Sequence, residues 1–196
     1  MKRGLALGAV LLCALPATGD NALLTLPVIT ALTSIDALPS KAALDDAFGA
    51  QAAQGQLLAV AGDHTTDLGI ELRAIRALPA YCPAPCGPGE PAHDGLIALI
   101  DGFPAAQYTP QDLLRLRAAV EALGATRSML ASDVTELVPL LDHGSRDVRA
   151  TVVRALGSLC SNAALGPLEA HFPDERSLQV KYAITAAVQA LGQCGN

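Results

Sequence analysis

Four apolar stretches of the chain close on nearly the same triplet: Ala77-Leu78-Pro79, Ala122-Leu123-Gly124, Ala155-Leu156-Gly157 and Ala190-Leu191-Gly192. Set in register on these leucines, the residues before them agree as well. Ile70-Glu71-Leu72-Arg73-Ala74-Ile75-Arg76-Ala77-Leu78 lies over Val148-Arg149-Ala150-Thr151-Val152-Val153-Arg154-Ala155-Leu156. Small or β-branched residues recur at Ala74, Ala119, Val152 and Ala187, three places before each alanine of the triplets. Positions three and four apart share a helix face. Each stretch therefore predicts a helix with a narrow stripe of small residues, stopped by Gly or Pro.

A second apolar pattern precedes each of these. Leu137-Val138-Pro139-Leu140-Leu141-Asp142 matches Leu96-Ile97-Ala98-Leu99-Ile100-Asp101, then Leu57-Leu58-Ala59-Val60-Ala61 and, more loosely, Leu165-Gly166-Pro167-Leu168-Glu169. Pro139 and Pro167 fall inside this helix type, which predicts kinks, because an interior proline costs about 3 kcal/mol. Helix starts are marked too. Thr109-Pro110-Gln111-Asp112 offers an N-cap, a proline at the first position and an acid at the third, while Asp133 with Glu136 and Ser145 with Asp147 give acidic first turns. The predicted helix pairs are 50–61 with 67–78, 94–101 with 110–123, 133–142 with 146–159, and 162–171 with 177–192.

Leu78, Leu123, Leu156 and Leu191 are spaced by 45, 33 and 35 residues. Two helices repeating at such a period signify an α-solenoid, in which each unit leaves an apolar face that only its neighbour can bury. The pattern resembles the HEAT repeat family, including the HEAT-like repeats of bacterial proteins. The motif that carries the likeness is Asp147-Val148-Arg149…Val152…Ala155-Leu156-Gly157, after a proline-containing first helix ending at Leu140-Leu141. It extends over about residues 50 to 194. Glu71 and Ile184 stand where the family favours Arg, and the 45-residue interval contains an insertion. The expected fold is all-α: a right-handed α-solenoid of about four HEAT-like helix pairs over 50–194, with a degenerate repeat or cap at 20–49. In that cap Ser40 would start a helix over Lys41 to Phe48.

Composition fits this picture. The 196 residues are 51% hydrophobic but only 3% aromatic, and Ala and Leu supply most of the apolar content. Both are strong helix formers, and small Ala lets helices approach closely. The first residues have a different character. Met1-Lys2-Arg3 is followed by an uncharged apolar run from Gly4 to Leu15 and by the small residues of Pro16-Ala17-Thr18-Gly19. This order predicts a secretory signal peptide over 1–19, cleaved after Gly19, and an exported protein of the periplasm or extracellular space. A lipoprotein anchor at Cys13 is rejected, because bulky Leu12 precedes it. No later stretch is apolar enough to span a membrane, so no integral span is expected in the mature chain.

Loss of Lys2 and Arg3 would take the formal charge from −6 to −8. No basic face is visible in the sequence, which argues against nucleic acid as a partner. Export would leave four cysteines, an even number that reads as disulfides. Cys160 follows Leu156 by four and Cys194 follows Leu191 by three, so they sit at nearly the same level on adjacent second helices and are expected to pair. The alternative is two buried thiols. Cys82 has Arg127 at its height in the next unit and is expected to join Cys86 across Cys82-Pro83-Ala84-Pro85-Cys86, rather than bind zinc with His93 and Asp94.

Asp63-His64-Thr65-Thr66-Asp67 reads as a capped loop, with a cation or general-base role the less favoured reading. His143 and His171 close first helices, and a metal bridge between them is improbable. Arg146, Arg149 and Arg154 read as a charged surface pairing with Asp142 or Asp147. No phosphate loop, metalloprotease motif or nucleophile elbow occurs, and no catalytic, cofactor-binding or metal residue is assigned.

What the HEAT likeness implies is a noncatalytic scaffold for a protein partner, a basic one if the concave surface is acidic. Two rivals stand beside it: a lyase-like or other enzyme built on the same repeats, which would show a free thiol at Cys82 or Cys86, and a structural component of an envelope assembly.

Overall fold

The computed structural model describes residues 24–34, 37–103 and 108–194. The expected signal peptide at 1–19, with Cys13, lies outside the described residues. Among these the secondary structure is entirely helical: α1 (Leu26–Leu32), α2 (Lys41–Phe48), α3 (Ala53–Ala61), α4 (Leu68–Ala77), α5 (Pro91–Asp101), α6 (Pro110–Ala125), α7 (Ala131–Leu137), α8 (Arg146–Ser158), α9 (Leu165–His171) and α10 (Leu178–Leu191). It is an α-solenoid. The second helices α4, α6, α8 and α10 pack side by side in sequence order, and α3, α5, α7 and α9 each lie against the second helix that follows. Leu78, Leu123, Leu156 and Leu191 are all buried along this stack, together with Ala74, Ala119, Val152 and Ala187.

The glycines of the repeated triplet behave differently from the expectation. Gly192 follows α10, but Gly124 and Gly157 lie inside α6 and α8 and are buried. They do not stop their helices; they admit the next one. A Cβ on Gly124 would stand 2.7 Å from the Cα of Ala155, and one on Gly157 would stand 2.9 Å from the Cα of Ala187. The reversal of direction comes later, at Arg127 and Cys160, each four residues after its leucine and each left-handed, with φ of 52° and 56°. Met129 N–H then donates to Leu159 C=O, 3.0 Å away, tying one turn to the next.

The prolines also sit differently. α7 ends at Leu137 and continues as a 3-10 turn over Val138–Asp142 containing Pro139, while Leu78–Tyr81 forms a similar turn containing Pro79. The 3-10 turns place each proline near a new start, where its missing N–H is least costly. Pro167 falls in the first turn of α9, where no intrahelical acceptor is needed. Neither proline kinks a helix interior.

Caps written in the sequence form as local chemistry requires. Thr109 and Asp112 make a reciprocal capping box, and Ser40 accepts from Ala43 N–H to start α2. Ser145, by contrast, makes no side-chain cap. Residues 20–49 carry a second helix that the apolar pattern did not mark, α1, whose Val28 and Leu32 are buried with Leu44 of α2. Tyr81 Oη donates to Asp45 Oδ1 at 2.8 Å and so pins α2 to the first pair.

Polar bonds cross-link successive units. Arg115 of α6 donates through Nε to both oxygens of fully buried Glu71 on α4, at 2.8 Å. Glu71 thus holds a charge pair where the family favours the opposite charge. Arg149 is no solvated surface group either. It forks onto Glu175 at 2.7 and 2.9 Å, rather than onto Asp142 or Asp147, and also donates to the carbonyl of His143. The Arg149 guanidinium, working against burial, holds Glu175 down at about 2, helped by Ser177 N–H and His171. Arg146 does approach Asp147, at 3.9 Å, in solvent.

Candidate functional site

The cysteines come together in the two expected couples. Cys82 and Cys86 have Cα atoms 5.2 Å apart, Cys160 and Cys194 5.4 Å apart, and both pairs of sulfurs stand at disulfide distance. Cys86 is buried at the base of the proline-rich loop, and Cys160 and Cys194 lie just beyond the ends of α8 and α10.

His93 and Asp94 lead away from those sulfurs. The buried His93 ring, on α5, hydrogen-bonds through Nε2 to Asp133 on α7 and through Nδ1 to Asp94, each at 3.1 Å. Asp133 itself is buried. It stands in the first turn of α7, as its position suggested, and accepts from Ser128 and Ser132, so it also serves as a cross-brace between units. The other histidines are engaged elsewhere, His171 also within 3.7 Å of Asp142 and His143 edge-on to Tyr108. His64 bonds Glu71 at 2.7 Å, His143 Nδ1 accepts from Ser145 N–H at 2.9 Å, and His171 lies 3.3 Å from Glu175. Asp67 caps α4 by accepting from Gly69 and Ile70 N–H.

Between α5 and α7 a groove of about 380 Å³ opens, floored by Ile97 and Ala98 and walled by Asp94, Asp101, Asp133 and Glu136 beside His93. Its electrostatics follow from crowding. Burial pushes Glu136 up, and the hydrogen bond it shares with Asp101 and the charges of Asp101 and Asp133 push it further. Burial opposes charge on His93, yet its hydrogen bonds to Asp133 and Asp94 outweigh that and raise it. The crowded acids thus act in one direction on two groups, raising Glu136 by repulsion and raising His93 by favouring its charged form. Sequence reading named His93, Asp94 and Asp133 but did not join them to Asp101 and Glu136; the repeat alignment of Asp101 with Asp142 was the available sign that these acids sit at helix ends.

A second and larger hollow, about 620 Å³, runs over α6, α8 and α10 on the second-helix side, with Arg127 and Arg154 at its rim and alanines beneath. Sequence reading saw no basic face; the repeat gathers these scattered arginines onto one.

Among the described residues no helix is long and apolar enough to cross a membrane. No curated protein matches the sequence. Residues 104–192, which take in α6 to α10, match the family model of HEAT repeats. With the helix pairs stacked as above, residues 104–192 form HEAT-like repeats.

Proposed function

We propose that this protein is an exported, noncatalytic scaffold that holds a basic protein partner in the groove between α5 and α7. Residues 1–19 are its signal peptide, 20–49 its cap and 50–194 its repeat array. Both cysteine couples are disulfides in the mature chain, a state suited to an oxidising compartment. HEAT-like arrays are helical scaffolds, commonly protein-binding, and the observation that carries the finer reading is the crowding of four carboxyl groups around one histidine in the groove. Glu136 is pushed up by burial and by the hydrogen bond and charge of Asp101 beside it. A lysine or arginine side chain entering would favour the charged form of Glu136, release its proton and gain from the carboxyl groups around the groove.

The test is calorimetric titration with a short lysine-rich peptide in two buffers of different ionisation enthalpy. Binding should release protons, tighten as pH rises through the raised values of Glu136 and His93, and weaken in the Asp101→Asn/Glu136→Gln variant. Binding unchanged in that variant would defeat the groove. Thiol labelling of Cys82 or Cys86 in the unreduced exported protein would favour the enzyme reading instead.

A further inference from the structure

The hollow over α6, α8 and α10 goes beyond the acidic groove and has the opposite chemistry. We infer that it binds an acidic peptide segment of a protein partner, with carboxylates seated on Arg127 and Arg154 of its lining and on Arg117, which meets Arg154 at Thr151 beside it.

Three other arginines of the second helices are neutralised by carboxylates. Arg76, Arg115 and Arg149 each meet a carboxylate, on Glu121, Glu71 and Glu175. Arg117, Arg127 and Arg154 do not, among the described residues. Arg117 Nε and an Arg154 terminal nitrogen both donate to one neutral oxygen, Thr151 Oγ1, at 3.3 and 3.2 Å. That hydroxyl spends its own hydrogen on the carbonyl of Asp147, 2.8 Å away, so only lone pairs face the two guanidinium groups. Thr151 is fully buried and fixed by the helix. Two cations are thus aimed at a single uncharged atom, an arrangement that leaves their remaining N–H donors and their charge for something else. Arg127 completes the set. Its one hydrogen-bond partner among the described residues is the Cys160 sulfur, a weak acceptor at 3.5 Å, and it shares the wall of the hollow with Arg154.

The lining holds no Asp or Glu among the described residues, in a chain where Asp and Glu outnumber Lys and Arg by 19 to 13. A planar guanidinium fork is the side chain best matched to a carboxylate. Beneath it Ala183, Ala186, Ala187 and Ala190 form an apolar floor along α10, with Ser158 and Gln193 as polar flanks. The surface spans three helices and suits an extended chain that lays a carboxylate on the arginines and small apolar side chains on the alanines. No aromatic residue lines it, so nucleotide bases would find nothing to stack on.

The experiment uses the full oxidised chain and fluorescence anisotropy with a labelled peptide of alternating Glu and Ala. A Lys/Ala peptide, a single-stranded oligonucleotide and inorganic phosphate serve as competitors. The Glu/Ala peptide should bind, lose affinity as salt rises, and resist the other three. Arg117→Gln/Arg154→Gln should weaken it by roughly tenfold or more, with Arg117→Lys/Arg154→Lys intermediate because charge remains without the fork. Arg146→Gln, remote from the hollow, should leave it unchanged. Thermal unfolding of each variant verifies the fold. Equal affinity of wild type and the double glutamine variant, or displacement of the peptide by the oligonucleotide or by phosphate, overturns the inference. The Asp101→Asn/Glu136→Gln variant should bind the Glu/Ala peptide as wild type does, so this site and the acidic groove stand or fall separately.

Discussion

Replacing Gly124 with alanine adds one methyl group, and two effects of opposite sign follow. Inside a helix, alanine is favoured over glycine by about 1 kcal/mol. Against that, the new Cβ would stand 2.7 Å from the Cα, 2.9 Å from the Cβ and 3.1 Å from the carbonyl oxygen of Ala155. These are backbone atoms and a methyl stub, with no rotamer to swing away. The helices must separate instead, and overpacking of this kind costs about 1–3 kcal/mol. Because α8 also carries α10 on its far side, the shift propagates. We expect a net loss of up to about 2 kcal/mol once the helix gain is deducted. Gly157→Ala, facing Ala187 Cα and Cβ at 2.9 Å, should act alike. The matched control is Gly55→Ala on α3, where nothing lies within 4 Å; only the helix effect remains, a gain of up to about 1 kcal/mol. In thermal unfolding followed by circular dichroism the first two should lower Tm and the third raise it, at about 2–4 °C per kcal/mol for a chain of this size. If Gly124→Ala and Gly157→Ala melted at or above the wild-type temperature, the close-contact reasoning would be refuted.

The Arg149–Glu175 pair should shape acid stability. Glu175 is held at about 2 against an ordinary 4.5; a lowered carboxylate contributes stability above its unfolded value, and that contribution is lost as pH falls from about 4.5 towards 2. Urea midpoints measured across that window should fall with pH in the wild type and be flatter in Glu175→Gln. Breaking the buried Glu71–Arg115 pair from one side, by Arg115→Ala, leaves the carboxylate with His64 in place of a full charge pair and should cost up to about 3–5 kcal/mol; the double change Glu71→Leu/Arg115→Met should cost clearly less in the same assay. If the cysteine couples are joined, removing the Cys160–Cys194 link, which spans 34 residues, should cost about 4 kcal/mol, and the Cys82–Cys86 link, which spans 4, about 2. Chemical denaturation of Cys160→Ser/Cys194→Ser and Cys82→Ser/Cys86→Ser gives the ratio, and equal losses would contradict the loop-entropy account.

What could be read from the chain was whatever repeats or acts locally. The leucine register, the pairing of first with second helices, the Thr109 and Asp67 caps and the start of α2 at Ser40 all depend on residues within a few positions of one another. What failed depends on the distance between helices. Gly124 looks like a helix stop in sequence because a glycine after Ala-Leu often is one; only the approach of Ala155 shows that it is a contact point. Arg149 looked like a surface charge because Glu175, its partner, lies 26 positions on, in the next unit. His93 and Asp133 are 40 apart, and Arg117, Thr151 and Arg154 converge only because the turn of each helix brings them to one face. The α1 helix escaped notice because a single turn or two of apolar residues beside the expected signal has no period to betray it.

The glycine contacts also set how the array yields to force. Where backbones touch with no side chain between them, there is nothing left to compress, so the α6, α8 and α10 seam behaves as a stiff spine. Strain from a tugging partner must go to the other layer, where α5 and α7 meet through the His93–Asp133 hydrogen bond and not through touching backbones. Flexing the protein would thus gape or pinch the carboxylate cleft while leaving the arginine shelf at nearly constant dimensions, giving one molecule a compliant jaw and a rigid anvil.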